Sequence, residues 1–328
     1  MKCINKYKKH TVVCLCLLSC IIVSGCSSKN DPIPYAVIYE KTNYAQELYQ
    51  EKPFAEDLCV AAQNVDLSGY PGDHSVHAAG LFDLEQKKVL YGDRVHERLF
   101  PASTTKILTA YVALKYGNLD DVVTVSETAT TFEPDASLCG LAPGDQITLY
   151  DLICGLTLAS GNDAGVAIAE HISGSVEAFA DKMNEEAKAL GATNSHFVNP
   201  HGLHDDNHYT TAYDLYLIFN ECLKQEQFVK VVCEKSHTGV FKSKDGATRK
   251  EEWKNTSLYM TGEAEQPTTV EYLGGKTGNT DEAKRCLIAY TKDKNSNKYY
   301  ISIVMGANGK PLLYKNMNEM LNHGVETK

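Results

Sequence analysis

The hydrophobic pattern divides the chain into three stretches. Residues 11–23 (TVVCLCLLSCIIV) are apolar and follow a basic opening segment. The run is too short to span a bilayer comfortably and matches the apolar region of a secretory signal, predicted over 1–25. Residues 26–58 are polar and tyrosine-rich, contain Pro32 and Pro34, and show no apolar period. They read as a tether. From Cys59 to about residue 325 the pattern is that of one globular domain without internal repeats.

Within that domain the period alternates between that of strands and that of helices. HAAGLFDL (77–84) and KVLYG (88–92) flank a short polar turn and predict a hairpin. STTKILTAYVALKY (103–116) is apolar nearly all round, which predicts a buried helix with Gly117 as its C-cap. Two shorter helices are predicted over 148–158 and 163–172, interrupted by Ser160-Gly161-Asn162. Ser175 can cap a helix that runs to about Leu190 and stops at Gly191. Thr211-Ala212-Tyr213-Asp214 has the form of a capping box. EYLGGKTG, RCLIAYTK and KYYISIVMGA then read as strands, and a last helix covers about 311–323. Strands come first and last with helices between. The fold class is therefore α+β, a helical portion inserted into a sheet-based one.

Charge and cysteine content narrow the setting. The 328 residues carry a formal net charge of −10. Removing the first 25 takes away four lysines and no acid, leaving 28 basic against 42 acidic residues, or −14. That argues against a nucleic-acid partner, which needs a basic face. Of eleven cysteines, four lie in the signal. Cys26 ends the stretch Val23-Ser24-Gly25-Cys26, which resembles the lipobox of bacterial lipoproteins, so Cys26 is the expected lipidation site. The remaining six are Cys59, Cys139, Cys154, Cys222, Cys233 and Cys286. Their spacing is irregular and lacks Cys-x-x-Cys, which speaks against zinc. Free thiols with at most one bridge are expected, and Cys154 and Cys286 read as small buried hydrophobes.

Three short motifs carry the chemistry. Ser103-Thr104-Thr105-Lys106 is the one Ser-x-x-Lys in the chain. Positions i and i+3 share a helix face, so hydroxyl and amine can meet. Lysine serves as the base only when neutral, which costs an unshifted amine about 4–5 kcal/mol at neutral pH. Burial and a second cation would both lower that cost. Ser160-Gly161-Asn162 lies between helices and can relay a proton and orient an amide. Lys276-Thr277-Gly278 closes a strand, where lysine and threonine can bind a carboxylate and glycine admits substrate backbone. Each motif alone is common. Their order, each on the element it needs, matches the set found in penicillin-binding proteins and class A β-lactamases.

Over about 59–323 the sequence resembles the low-molecular-mass penicillin-binding D-alanyl-D-alanine carboxypeptidases. HERLFPASTTKILTA, ASGNDAGVAIAEHISGS, FVNPHGLHDDNHYTTAYDL and GGKTGNTDEA carry the likeness beyond the three motifs. The resemblance implies a β-lactamase/transpeptidase-like fold, an antiparallel sheet flanked by helices with a helical subdomain. It implies that Ser103 attacks the carbonyl between two terminal D-alanines of a peptidoglycan stem peptide, with Lys106 as base. Ser160 and Lys276 would pass the proton to the leaving group. Asn162, Thr277, Gly278 and Asn279 would hold the substrate, with the backbone N–H groups of Ser103 and Asn279 forming the oxyanion hole. β-Lactams would acylate Ser103, and no cofactor or metal is implied. The family often carries a further C-terminal β-rich domain and a terminal amphipathic helix. The lipid on Cys26 is expected to supply membrane attachment here, on the outer face of the cytoplasmic membrane.

Other readings share the site: a D,D-endopeptidase, a class A-like β-lactamase, or a non-catalytic lipoprotein that binds wall peptides or penicillin. The β-lactamase needs a glutamate-bearing loop between the second and third motifs. The nearest likeness to its Glu-x-x-Leu-Asn letters, Glu319-Met320-Leu321-Asn322, is one residue short and lies after the third motif, in the last predicted helix. His196, His201, His204 and His208 lie close together, but they fall in a predicted loop rather than on a helix that would present them as a metal site. Lys284 and Arg285 stand where the family more often has small residues, at the expected cleft rim.

Overall fold

The computed structural model describes residues 55–325. The expected signal (1–25), the lipid site Cys26 and tether residues 26–54 lie outside the described residues. The chain first forms β1 (Ala78–Asp83) and β2 (Lys88–Asp93), the expected hairpin. A 3₁₀ turn over Ala102–Thr105 leads into α1 (Lys106–Tyr116), followed by β3 (Val122–Thr124) and β4 (Gln146–Thr148). Next come α2 (Leu149–Thr157), α3 (Asn162–Ser173), α4 (Val176–Ala189), α5 (Ala212–Cys222) and α6 (Glu226–Val232). A second hairpin pairs β5 (Ser236–Lys242) with β6 (Thr248–Lys254), and one helical turn, α7 (Leu258–Thr261), follows. The chain closes with β7 (Val270–Thr280), β8 (Lys284–Asp293), β9 (Tyr299–Ala307) and α8 (Lys310–Gly324).

The terminal strands form one antiparallel sheet in the order β2-β1-β9-β8-β7, with α1 to α7 inserted between β2 and β7 and α8 following β9. This is the predicted architecture with one addition. A second sheet, β3-β4-β5-β6, belongs to the inserted portion. Its strands escape a reading by pattern: β3 and β4 have three residues each, and β6 is TRKEEWK, with Trp253 its one buried side chain.

β9 shows how the main sheet is held. Successive side chains of a strand point to opposite faces. Ile301, Ile303 and Met305 enter a core shared with α1 and α5, where Phe82 of β1 stacks on Tyr216 at 4.2 Å. Tyr300, Val304 and Ala307 enter the other core, against Leu313, Met317, Met320 and Leu321 of α8. Both faces are covered, so the strand reads as a near-continuous apolar run. α1 is the central helix, buried from Lys106 through Ala113.

Two local expectations are corrected. The predicted 103–116 helix begins as the 3₁₀ turn, and Lys106 opens the α-helix proper. Gly117 is the C-cap as predicted, its N–H donating to the Ala113 carbonyl oxygen at 2.9 Å, with an extended backbone (φ −97°, ψ 163°). Glycine is needed there for space, since a Cβ would sit 2.3 Å from Leu149 Cδ2 and 2.8 Å from the Ala113 carbonyl oxygen. Thr211 caps α5 as predicted, its hydroxyl accepting from the Asp214 N–H at 3.0 Å. Asp214 does not close a reciprocal box: its carboxylate accepts from the Asn194 N–H (2.8 Å) and the Ser195 hydroxyl (2.7 Å), tying down the preceding loop. The predicted caps on α4 also form, with Ser175 Oγ accepting from the Ala178 N–H and Gly191 left-handed beyond the helix end. All six described cysteines are free thiols.

Candidate active site

Ser103 is held by packing of backbone on backbone. Ala102, before it, adopts a left-handed φ of 48°, a conformation costly for a residue with a Cβ. Two glycines allow the surrounding chain to close on this turn. A Cβ on Gly202 would lie 1.9 Å from the Ala102 carbonyl oxygen. One on Gly278, in β7, would lie 2.9 Å from the Pro101 carbonyl oxygen and 3.2 Å from the Ser103 nitrogen. Sequence reasoning gave Gly278 to substrate approach. The structure shows that its bare backbone also admits the Ser103 turn to the strand, setting serine and Lys276-Thr277 side by side.

Lys106 is buried at 1% exposure, with its amine 3.0 Å from Ser103 Oγ, 2.7 Å from Asn162 Oδ1 and 2.7 Å from the His201 carbonyl oxygen. A neutral amine has two N–H groups and one lone pair. The amide and carbonyl oxygens can only accept, so they take both N–H groups and direct the lone pair at the serine hydroxyl. Burial first, then the Lys276 charge, holds this amine well below the ordinary lysine range. Asn162, predicted to hold substrate, is 3% exposed and presents its oxygen to Lys106. It orients the base.

The second motif lies where α2 gives way to α3. Ser160 is left-handed (φ 60°) and buried, and its Oγ lies 3.0 Å from Lys276 Nζ. Lys276 also donates to the Thr277 carbonyl oxygen at 3.0 Å, and burial lowers its pKa to about 7. Thr277 Oγ1 is 2.6 Å from Thr256 Oγ1. Ser103, Ser160, Thr277, Gly278 and Asn279 line a cleft of about 340 Å³. The four residues predicted as catalytic therefore converge, with Ser103 and Ser160 on the cleft and both lysines buried behind them.

The structure adds residues that the sequence did not single out. Asp163, the second residue of α3, is buried and accepts from four backbone N–H groups: Cys139 (2.9 and 3.1 Å), Gly140 (3.0 Å), Leu141 (3.1 Å) and Ala164 (2.9 Å). The loop it clamps carries Ser137, whose carbonyl accepts from the Asn162 N–H at 2.8 Å and which lines the cleft. An acid in the first turn of a helix was the available signal. Arg285, expected at the cleft rim, does line the cleft from β8, and Lys310 joins it from the start of α8. No local pattern marks Lys310, because it reaches the site through the return of the chain after β9. Lys284, flagged with Arg285, sits exposed at the β7–β8 turn with φ 56°.

The histidines are structural or rim groups. His208 Nε2 meets Thr105 Oγ1 at 2.8 Å while Nδ1 accepts from the Val198 N–H, and burial lowers its pKa to about 4. His201 is held neutral by burial, its pKa lowered to about 3. His196 faces the Asn207 carbonyl oxygen, and His204 lies near Asp206 and Glu282. Glu319–Asn322 lies on α8, where Asn322 Oδ1 accepts from the Thr268 N–H. It contributes nothing to the Ser103 cleft.

Residues 64–309 match the profile of the Peptidase_S11 family, described as D-alanyl-D-alanine carboxypeptidase. The chain is 38% identical over 245 residues to D-alanyl-D-alanine carboxypeptidase DacF of Bacillus subtilis, covering 71% of this chain and 58% of that one. It is 34% identical to DacA of Haemophilus influenzae, over 75% of this chain and 61% of that protein. It thus spans about three-fifths of the length of these relatives. The D-alanyl-D-alanine carboxypeptidase of Streptomyces strain K15 is 33% identical over 72% of this chain and 82% of its own. Among solved structures, the Streptomyces K15 DD-transpeptidase superposes with a TM-score of 0.70 at 28% identity, over 80% of this chain and 98% of that one. The shared fold is that of the DD-peptidases, as expected from the sequence.

Proposed function

This chain belongs to the D-alanyl-D-alanine carboxypeptidase family, and from that premise we propose that it removes the terminal D-alanine from peptidoglycan stem pentapeptides. One observation carries the reading: the Ser103 hydroxyl lies 3.0 Å from a buried amine whose other hydrogen-bond partners can only accept. Lys106 takes the serine proton as Oγ attacks the carbonyl carbon between the two D-alanines. The N–H groups of Ser103 and Asn279 stabilise the oxyanion. As the C–N bond breaks, the leaving amine receives a proton through Ser160, backed by Lys276. Water then cleaves the acyl ester on Ser103. Thr277, with the cations Arg285 and Lys310 on the cleft wall, suits the substrate's terminal carboxylate. A β-lactam acylates Ser103 in the same way and stays, because the glutamate loop of class A β-lactamases has no counterpart between the second and third motifs.

The reading includes export and anchoring through lipid on Cys26, supported by the signal-like 1–25 segment and the lipobox-like Val23–Cys26. Mass spectrometry of products from a pentapeptide, with and without an acceptor amine, tests the reaction. Loss of one D-alanine that Ser103→Ala abolishes supports it, and equal release by parent and variant refutes it. Stable labelling by a fluorescent penicillin is expected, whereas rapid loss of label would indicate a β-lactamase. For the anchor, Cys26→Ala is expected to move the protein out of the membrane fraction.

A further inference from the structure

A second cluster of reactive side chains lies in the inserted portion, apart from the Ser103 cleft. Asp151 and Cys154 are three positions apart on α2 and so share a face. Glu234, just past α6, and His237, in β5, are brought to that face. One ligand atom from each of Cys154, Glu234 and His237 lies within 4.8 Å of the others. His237 Nε2 is fixed by Asp151 Oδ1 at 2.7 Å. Its Nδ1 faces Glu234 Oε2 at 3.6 Å, too long for a hydrogen bond. That carboxylate oxygen is buried and has no hydrogen-bond partner. A buried, unpaired carboxylate oxygen is costly, and here it is aimed at an imidazole nitrogen and a thiol.

This is the arrangement of a metal-binding histidine, one nitrogen held by a carboxylate and the other turned to the ion. We propose that Cys154, Glu234 and His237 bind one zinc ion, with Asp151 orienting the imidazole. Tetrahedral zinc with bonds of about 2.0–2.3 Å places its donors roughly 3.5 Å apart, so the cluster need close only slightly. Thiolate, imidazole and carboxylate are the donor types zinc favours. On binding, the Cys154 S–H bond breaks, its proton leaves to solvent and a Zn–S bond forms, with no change of oxidation state. Lys230, over the Tyr150 ring at 5.1 Å, is the nearby cation, and Tyr150 packs edge-on to His237. Two carboxylates and a thiolate outweigh that single charge. His237 and Glu234 are partly exposed, which gives the ion a way in. The cysteine spacing spoke against zinc because these donors come from two segments remote in sequence, one of which contributes no cysteine.

The test uses the full chain, stripped with a chelator and titrated with zinc alone by calorimetry and with cobalt by absorption. One equivalent of zinc is expected to bind at micromolar or lower free ion, more tightly as pH rises, and cobalt should give a thiolate charge-transfer band. Cys154→Ser should abolish the band. Glu234→Gln, at a partly exposed position, should weaken zinc at least tenfold without unfolding the chain. Asp151→Asn should weaken it about 10–100-fold. No uptake by the folded parent, no charge-transfer band, or a band undiminished in Cys154→Ser would each overturn the proposal.

Discussion

Asp163 offers the sharpest test of how the active site is built. Its carboxylate accepts from four backbone N–H groups at 2.9–3.1 Å. Asp163→Ala leaves all four without that acceptor. Gly140 is exposed and can turn to water, but Cys139, Leu141 and Ala164 are buried. Each buried donor left unpaired costs about 1–3 kcal/mol, so the alanine variant should lose at least about 3 kcal/mol. Asp163→Asn is nearly isosteric. In its better orientation it keeps the oxygen that serves Cys139, Gly140 and Leu141, but turns an NH₂ toward the Ala164 N–H. That should cost about 1–3 kcal/mol. The ranking parent, Asn, Ala follows from charge and hydrogen bonding alone. Thermal unfolding measures it, at about 2 °C per kcal/mol for a domain of this size. Because the clamped loop also accepts from the Asn162 N–H, and Asn162 orients Lys106, penicillin acylation of the folded fraction should slow in the same order. An Asn variant that melts and acylates like the parent would show that the carboxylate merely fills space.

Other consequences are as direct. Ser103→Ala should abolish covalent penicillin labelling, and Lys106→Met should slow it by about 10³-fold or more while the protein still folds, as stopped-flow acylation can show. Gly278→Ala places a Cβ 2.9 Å from the Pro101 carbonyl oxygen, so the Ser103 turn must shift; a displacement near 1 Å is worth about 10²-fold in acylation rate. Burial lowers the Lys276 pKa from 10.5 to about 7. Between those values the unfolded chain binds the extra proton, so the cost of burying this amine falls as pH rises from about 7. Lys276→Met removes that cost at every pH. Its melting-point advantage over the parent should therefore shrink between pH 6.5 and 8.5, and a constant offset would contradict the lowered pKa.

Much of the fold and chemistry is written locally. The all-round apolar 103–116 stretch, the caps at Ser175 and Thr211 and the apolar run of β9 depend on neighbours in sequence, and they form where the pattern places them. Ser103 and Lys106 meet because i and i+3 share one face of a helical turn. The order of strands and helices likewise sufficed for an α+β sheet with a helical insertion.

What needed the tertiary structure is whatever depends on distance between segments remote in sequence. The state of Lys106 is set by burial, by Lys276 from another strand, and by acceptors on Asn162 and His201. The same holds for Gly278, whose use appears only when the Pro101–Ser103 turn lies against it, and for Gly117, a cap whose need for glycine comes from its packing partners. Lys310 reaches the cleft by the return of the chain after β9, and Cys154 joins Glu234 and His237 by helix packing. Local pattern reports which face of an element is apolar. It does not report which polar groups converge there, and hydrogen bonding and pKa depend on that convergence.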